Sequence, residues 1–301
     1  MPELPDLIVY QEALEPRVLG KPIRSIRILS PSLLRSFDPP IDAASGRSVQ
    51  KVTLLGKHLV LHLDRDLFLV LHLMIAGRLH WKPSGFQVKR KIDAAAIDFP
   101  DGTLLITEAS SKKRASLHLV ADKALLLSFD KGGLDVFASS FADFRDAIQR
   151  GRHTLKRALR DPTILSGIGN AYSDEILHHA RLSPLRQTHQ LTEDELRRLH
   201  SSTQTVLLEW TEKLRQARKD AFPEKVTAFR EGMAVHGRFG QPCPECGARV
   251  QRIVYAENEC NYCPRCQTGG RLLSDRSLAR LLKEDWPRTI EELESRETEN
   301  P

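Results

Sequence analysis

Hydrophobic residues in the first half of the chain follow two different periods. Residues 5–19 carry them at helical spacing, and Gly20 follows as a helix stop. From Ile23 to about Asp135 they fall instead into short β-rich runs, separated by turn signals such as Asp101-Gly102. These runs are 26–29, 58–63, 67–71, 94–99, 104–107 and 117–120. The pattern predicts a β-sandwich or barrel behind one helix.

The period becomes helical again from about residue 140 to 219. Thr192 and Glu195 have the spacing of a capping box, and four apolar residues follow on one face: Leu196, Leu199, Val206 and Trp210. We interpret this stripe as a core face. The tail after Ser274 also has helical spacing, and its charged end, 291–301, is expected to fray.

Composition adds a bias toward anionic partners. The 301 residues have a hydrophobic content of 41%, typical of a globular protein, and a net charge of +6. A modest basic excess favours nucleic acid. No apolar run is long enough for a membrane span and no signal peptide precedes Pro2, so we expect an intracellular protein.

The clearest motif is a pair of cysteine knuckles. Cys243 and Cys246 form one CxxC, Cys263 and Cys266 form the other, and sixteen residues separate the inner cysteines. This spacing supplies four thiolates to a structural Zn²⁺ with no open position. The segment between the knuckles predicts a β-hairpin that turns near residues 257–259. Cys260 does not fit the CxxC spacing, and we expect that it is not a zinc ligand.

The N-terminus offers a second kind of chemistry. In Met1-Pro2-Glu3 the small ring of Pro2 permits removal of Met1, which exposes a secondary amine. A desolvated amine can attack an electrophilic carbon and form an iminium, and Glu3 is a neighbouring acid/base candidate. Because Pro-Glu is common at N-termini, this interpretation depends on the rest of the chain.

Several motifs, in the same order, resemble the formamidopyrimidine-DNA glycosylase / endonuclease VIII family. They are Pro2-Glu3-Leu4-Pro5, Leu55-Gly56-Lys57, residues 72–79, Gly167-Ile168-Gly169-Asn170, Asp174-Glu175, residues 235–238 and the cysteine hairpin up to Gln267. The resemblance implies a bifunctional enzyme of base-excision repair, which flips a damaged nucleotide out of DNA. Such an enzyme hydrolyses the N-glycosyl bond and cuts the strand as an AP lyase.

The resemblance also implies residue roles. Pro2 matches the nucleophile, Glu3 the group that handles protons, and Lys57 a lysine that contacts phosphate beside the site. The Gly167–Asn170 turn resembles a helix–two-turn–helix element, in which Asn170 would bind phosphate at a helix N-terminus. Lys156 matches a family position near DNA, and Arg238 precedes the zinc segment. Each could bind DNA or be an ordinary surface cation.

Departures from the family pattern predict a lesion range that is unusual for the family. Ile75 aligns with a methionine that enters the void left by the flipped base, and Met74 precedes it. The partner loop lacks its aromatic wedge and carries Lys112, Lys113 and Arg114 instead. We therefore expect Met74 and Ile75 to fill the void. The alternative is that both are core residues of a strand.

Two more departures concern DNA contacts and acid/base geometry. Asn258 stands where the family has a hairpin arginine, so we expect weaker DNA affinity and products weighted toward β-elimination. Lys112, Lys113 or Arg114 could replace the lost cation. Asp6 stands where the family has glutamate, and the segment between helix and zinc module, 218–233, is short.

The sequence thus predicts an α+β protein in two domains. An N-terminal helix and β-sandwich domain (1–138) precedes a helix–two-turn–helix domain (139–232), a zinc hairpin (233–274) and a helical tail (275–301). The expected protein is a monomeric, cytoplasmic, nucleoid-associated bacterial enzyme that acts on damaged double-stranded DNA. One alternative is a relative that binds lesions or abasic sites but excises poorly. Another is a zinc-ribbon regulator without catalysis.

Overall fold

The structure of the chain is a computed structural model that describes residues 1–89, 91–224, 226–227, 229–255, 258–273 and 287–299. The side chains at 255, 258 and 297–299 lie outside this description. Two compact units are present, Met1–Gly132 with Leu208–Ala228, and Gly133–Leu207 with Phe229–Pro301. The bounds of the four segments predicted from the sequence stay predictions.

The first unit begins with helix α1 (Leu4–Val18). Pro5 lies in its first turn, where a missing N–H costs nothing, and Glu3 and Asp6 form a reciprocal capping box. The buried face of α1 includes Leu7, Tyr10 and Leu14. The predicted N-terminal helix is confirmed.

Two four-stranded antiparallel sheets follow α1. The strands are β1 (Ser25–Ile28), β2 (Val49–Leu55), β3 (His58–Leu63), β4 (Leu67–His72), β5 (Gly77–Lys82), β6 (Asp93–Phe99), β7 (Gly102–Glu108) and β8 (Ser116–Val120). One sheet has the order β2-β3-β4-β8 and the other β1-β6-β7-β5. Buried leucines such as Leu61, Leu69 and Leu104 form one continuous core with α1, which confirms the predicted sandwich.

Sequence reasoning missed β2 and β5. Strand β2 has a mixed pattern in which Lys51 is exposed while Val52 is buried. Strand β5 alternates buried Gly77 and Leu79 with basic side chains. Strand β2 breaks the alternation of apolar and polar residues, and β5 has few apolar side chains, so their ladders with β3 and β7 define them.

The second unit is helical up to its zinc module. Between residues 123 and 299 the described helices are α2 (Lys123–Leu127, in the first unit), α3 (Phe141–Gln149), α4 (Leu155–Arg160), α5 (Asn170–His179), α6 (Glu193–Arg218), α7 (Pro264–Thr268) and α8 (Ile290–Glu299). Helix α6 begins with the predicted capping box, in which Thr192 N–H donates to Glu195 (2.9 Å) and Glu195 N–H to Thr192 (3.2 Å). Its predicted apolar stripe is buried, with Leu199 and Trp210 as examples.

The zinc module carries β9 (Gln251–Tyr255) and β10 (Asn258–Tyr262), paired antiparallel. The predicted turn at 257–259 falls partly on residues 256–257, which lie outside the described residues. Ile290, at the start of the tail helix, is fully buried and its N–H donates to Gly270 O at 2.9 Å, while the expected fraying of 291–301 stays a prediction. That anchor starts α8. Among the described residues, every helix is too short or too polar to cross a membrane.

Candidate active site, phosphate-binding helix and zinc centre

The N-terminus lies in a niche of the first unit. Pro2, Glu3 and Asp6 are buried, and the two carboxylates are 2% and 3% exposed. Glu3 N–H donates to Asp6 Oδ2 at 2.8 Å, and the Glu3 carboxylate accepts the Asp6 N–H. The shorter Asp6 therefore still reaches the backbone at the start of α1 and holds Glu3 in place.

Burial lowers the pKa of the Met1 α-amino group. Glu3 and Asp6 act in the opposite direction, while the positive charges of Arg78 and Lys57 lower the pKa further. A lowered pKa increases the fraction of uncharged, nucleophilic amine at neutral pH. The niche thus combines a desolvated amine, two carboxylates and two cations.

Lys57 follows the tight turn at Gly56, where φ is 61°. The next residue, His58, packs against His72 of the neighbouring strand with ring centroids 4.6 Å apart and the rings tilted by 39°. Burial lowers the pKa of His72 to about 4, and His58 and Lys57 contribute in the same direction. Sequence reasoning did not select His72 as a site residue, although the histidine lies in the family motif at 72–79.

Arg78 joins two separate segments of the first unit. Its guanidinium donates to the carbonyls of Ile75 (3.1 Å) and Gly77 (2.6 Å), and its Nε donates to Val226 O in the segment after α6. Phe222 of that segment packs on Tyr10 with ring centroids 5.8 Å apart. The short segment is therefore anchored in the N-terminal unit, which sequence reasoning did not foresee.

Two more contacts anchor the segment after α6. The carboxylate of Glu224 is 2.5 Å from His80 Nδ1 and accepts from Lys82 Nζ at 3.1 Å. Both basic residues lie on β5, so the side chains of that edge strand hold the segment in place.

Met74 and Ile75 lie in the turn between β4 and β5 and in neither strand. Met74 has a left-handed φ of 50°, and Ile75 is 56% exposed. The turn depends on Gly77, because a Cβ at that position would lie 2.3 Å from Leu73 O. Ile75 is therefore not a core residue of a strand, which was the alternative interpretation. The void-filling role stays a prediction.

The predicted cationic loop is ordered by a buried carboxylate. Glu108, 2% exposed, accepts the N–H groups of Arg114 (2.7 Å) and Ala115 (3.0 Å). Lys113 Nζ folds back to Glu108 O at 2.6 Å, whereas Lys112 and Arg114 are exposed. Lys112 and Arg114 therefore remain accessible to an anionic ligand.

In the second unit, the turn ending at Gly169 leads into α5. Gly167 has φ 80°, a left-handed conformation that favours glycine. Asn170 begins the helix and donates from Nδ2 to Glu259 O on β10 at 2.8 Å. The helix N-terminus and this fixed amide form a candidate phosphate site.

Lys156 is directed inward instead of toward solvent. It is 6% exposed, and its Nζ donates to Asn170 O (2.7 Å), Ser173 Oγ (2.8 Å) and Asp174 Oδ1 (2.6 Å). The other Asp174 oxygen is 2.8 Å from His236 Nδ1. The ordinary surface-cation alternative is wrong for Lys156, since the ammonium supports the start of α5.

Arg238 also makes internal contacts. Its guanidinium donates to Met233 O (3.1 Å) and Pro242 O (3.0 Å), which braces the entry to the zinc module. Glu175 supports the same entry, because its carboxylate accepts the three consecutive N–H groups of residues 234–236 at 2.7–2.9 Å. Burial raises the pKa of Glu175.

The four predicted zinc ligands come together in the second unit. The sulfurs of Cys243, Cys246, Cys263 and Cys266 all lie within 4.8 Å of one another. Cys243 and Cys266 are 3.9 Å apart, and Cys246 and Cys263 are 3.4 Å apart. Tetrahedral Zn–S bonds of about 2.3 Å separate sulfurs by about 3.8 Å, so the four-thiolate set fits one zinc ion.

Two other hairpin residues, Cys260 and Asn258, are not among the four zinc ligands. Cys260 lies outside the cluster, and burial raises the pKa of its thiol well above the ordinary value. Its side chain faces Ile253 across the ladder and serves packing. The side chain of Asn258 is outside the description, so its expected effect on DNA binding stays a prediction.

The chain thus carries a buried terminal amine beside two carboxylates, and a helix N-terminus that is a candidate phosphate site. With the four-cysteine hairpin, these features define the class of zinc-finger enzymes that process DNA. Comparison with known proteins narrows the class. Residues 1–127 match the formamidopyrimidine-DNA glycosylase N-terminal domain, 133–218 its H2TH domain and 240–269 the zinc finger found in FPG and IleRS.

Curated relatives match over their full length. The formamidopyrimidine-DNA glycosylase of Heliobacterium modesticaldum is 34% identical over 280 residues, covering 89% of this chain and 100% of the relative. That of Thermus thermophilus is 31% identical over 279 residues, with coverages of 90% and 100%. The chain therefore belongs to the formamidopyrimidine-DNA glycosylase family.

Solved structures agree with this assignment. The Lactococcus lactis protein bound to abasic-site DNA superimposes with a TM-score of 0.78 at 26% identity, covering 88% of this chain and 99% of that one. Its complex with Fapy-dG-containing DNA gives 0.78 at 27%, with coverages of 88% and 100%. The predicted family, fold class, enzyme class and zinc cofactor are confirmed. The individual DNA-contact and catalytic roles stay predictions.

Proposed function

We propose that the chain is a base-excision repair glycosylase with AP lyase activity, and that Pro2 is its nucleophile once Met1 is removed. The observation that carries the proposal is the buried N-terminus, in which Pro2 and Glu3 are both buried and the capping box with Asp6 fixes the Glu3 carboxylate next to Pro2 in the chain. Burial also lowers the pKa of the Met1 amine that precedes Pro2. Relatives that are glycosylases and neighbours bound to abasic-site DNA support it.

The chemistry begins at the sugar. The Pro2 nitrogen forms a bond to C1′ as the N-glycosyl bond breaks, and the departing base takes up a proton. Opening of the sugar ring produces an iminium, which acidifies the 2′ proton. Loss of that proton expels the 3′ phosphate by β-elimination, and water then releases the protein from the sugar remnant.

Glu3 is the group of the niche best placed to move these protons. It is buried beside the amine, and its position is fixed by the capping box with Asp6. Removal of such a general acid/base typically costs about 10²–10⁴-fold in rate. Lys57 is a cation near the amine, suited to a phosphate of the bound strand. We propose a lesion range unlike that of the family's usual members, on the basis of the altered turn and loop at 74–75 and 112–114.

Trapping with borohydride on a duplex that contains one abasic site tests the proposal. Protein from which Met1 has been removed, verified by mass spectrometry, should be captured covalently on the DNA. Protein with a tag that retains Met1 should bind the duplex with unchanged affinity and escape capture, because the Pro2 nitrogen is then part of an amide bond.

Equal capture of the tagged protein would show that another group attacks C1′. Absence of capture by the processed wild type, with binding retained, would favour the binding-only relative over an enzyme. A panel of single-lesion duplexes, tested with the same processed protein, then identifies the preferred base.

A further inference from the structure

Helix α5 contacts the zinc module along its whole length. Its first residue, Asn170, donates to the hairpin backbone, and Glu175 in its middle binds the turn segment 234–236 that enters the module. Near its C-terminal end, His178 Nε2 lies 3.3 Å from Cys243 Sγ. This last contact reaches a zinc ligand directly, and the proposed catalysis does not use it.

The direction of the His178–Cys243 hydrogen bond follows from the chemistry of the site. A zinc-bound cysteine is a thiolate and has no proton to donate. The imidazole must therefore donate its Nε2–H to the sulfur, which leaves Nδ1 unprotonated in the neutral ring. Both partners are buried, with 6% of His178 and 2% of Cys243 exposed, so water does not compete for the bond.

We propose that His178 is an outer-shell positioning residue of the zinc centre. Its N–H draws charge from the Cys243 thiolate, lowers the reactivity of that sulfur toward electrophiles and fixes its orientation. Outer-shell partners of this kind typically contribute about 10–100-fold to metal affinity. Because His178 and Asn170 belong to one helix, the same element carries the candidate phosphate site and stabilises the metal.

The full-length zinc-loaded protein provides the test. His178→Phe keeps a ring but removes the donor, while His178→Gln retains an N–H donor at similar reach. The matched control is His179→Phe, since the adjacent His179 bonds Ser202 Oγ (2.9 Å) instead of a cysteine. Zinc release to a colorimetric chelator and alkylation of each cysteine by a maleimide, read by mass spectrometry, are the measurements.

We expect His178→Phe to weaken zinc affinity about 10–100-fold and to make Cys243 the first cysteine alkylated. His178→Gln should restore most of the protection, and His179→Phe should match wild type. In cobalt-substituted protein, loss of the donor should move the sulfur-to-cobalt charge-transfer band to lower energy. A general packing defect would not reproduce that shift.

Equal zinc release by wild type and His178→Phe would overturn the proposal. The proposal would also be overturned if zinc release were accelerated equally in the His178→Phe and His179→Phe proteins. If His178→Phe fails to fold, His178→Gln and His178→Met, which have similar length and differ in the donor, replace it. Equal alkylation of Cys243 in that pair would also overturn the proposal.

Discussion

The turn that holds Met74 and Ile75 shows how backbone geometry can expose an apolar side chain. Met74 adopts a left-handed φ of 50°, which costs energy for a residue other than glycine. The carbonyl of Ile75 is held by Arg78, and its side chain is 56% exposed. Desolvation of that side chain on insertion into DNA would recover free energy that the free protein forgoes.

At this residue scale we expect Ile75→Ala to impair base excision from duplex DNA by at least about tenfold more than from single-stranded substrate. The reason is that duplex substrate requires a few kcal/mol of unstacking, which an inserted apolar side chain partly offsets. Initial excision rates on both substrates measure the effect. Leu127→Ala is the matched control, since Leu127 is also 56% exposed in the same unit. Similar losses on the two substrates would contradict the prediction.

At the scale of elements, the outer face of the β2-β3-β4-β8 sheet collects histidines. His58 and His118 both contact Phe129, and His58 packs against His72. Burial is the main cause of a lowered pKa in all three histidines, and the neighbouring cations Lys57, Lys131 and Arg35 act in the same direction. The folded protein therefore keeps these rings neutral at pH values where the unfolded chain protonates them.

This difference in proton binding predicts a pH-dependent stability. His72 titrates at about 4 when folded, against an ordinary value of 6.5, so the unfolded state binds more protons between these values. The contribution of the neutral histidine is complete above about pH 6.5 and is lost as the pH falls toward 4. The expected loss is on the order of 1–3 kcal/mol.

Urea unfolding of the wild type at pH 7.5 and pH 5 measures this loss. His72→Gln should show a smaller difference between the two pH values, and substitution of the exposed His189 by Gln should leave it unchanged. A wild-type midpoint that does not move between these pH values would refute the interpretation.

At the scale of the whole molecule, a net charge of +6 is small for a DNA-binding protein. The positions of individual cations therefore have to contribute more to DNA binding than the overall electrostatic field does. Lys57 is the cation that both the sequence motif and the terminal niche bring near the candidate nucleophile. A contact between Lys57 and a DNA phosphate is a prediction that the salt dependence of binding tests directly.

We expect Lys57→Ala to weaken DNA binding and to reduce the slope of log affinity against log salt by about 0.9, the value of one phosphate contact. Binding isotherms on an abasic-site duplex between low and moderate salt measure the slope. Lys51→Ala is the control, because Lys51 is exposed on β2 of the same sheet. Equal slopes for wild type and Lys57→Ala would identify Lys57 as an ordinary surface lysine.

Local patterns in the sequence were enough to predict the fold class, the zinc ligands and most strands. The CxxC spacings, the capping box at 192–195 and the apolar runs each act over a few residues, so they can be identified without knowledge of the fold. Strands β2 and β5 lack such a pattern, because only some of their residues are buried. Their positions are defined by hydrogen bonding to the neighbouring strands.

The directions of single side chains were decided by tertiary structure. Lys156 is a basic residue that the sequence could place at DNA or at the surface, yet Asp174 and Ser173 direct its ammonium inward. Likewise the segment after α6 is anchored by Phe222 and Glu224 to residues more than a hundred positions away. A buried charge requires a partner that only the folded chain provides, and no local pattern in the sequence specifies that partner.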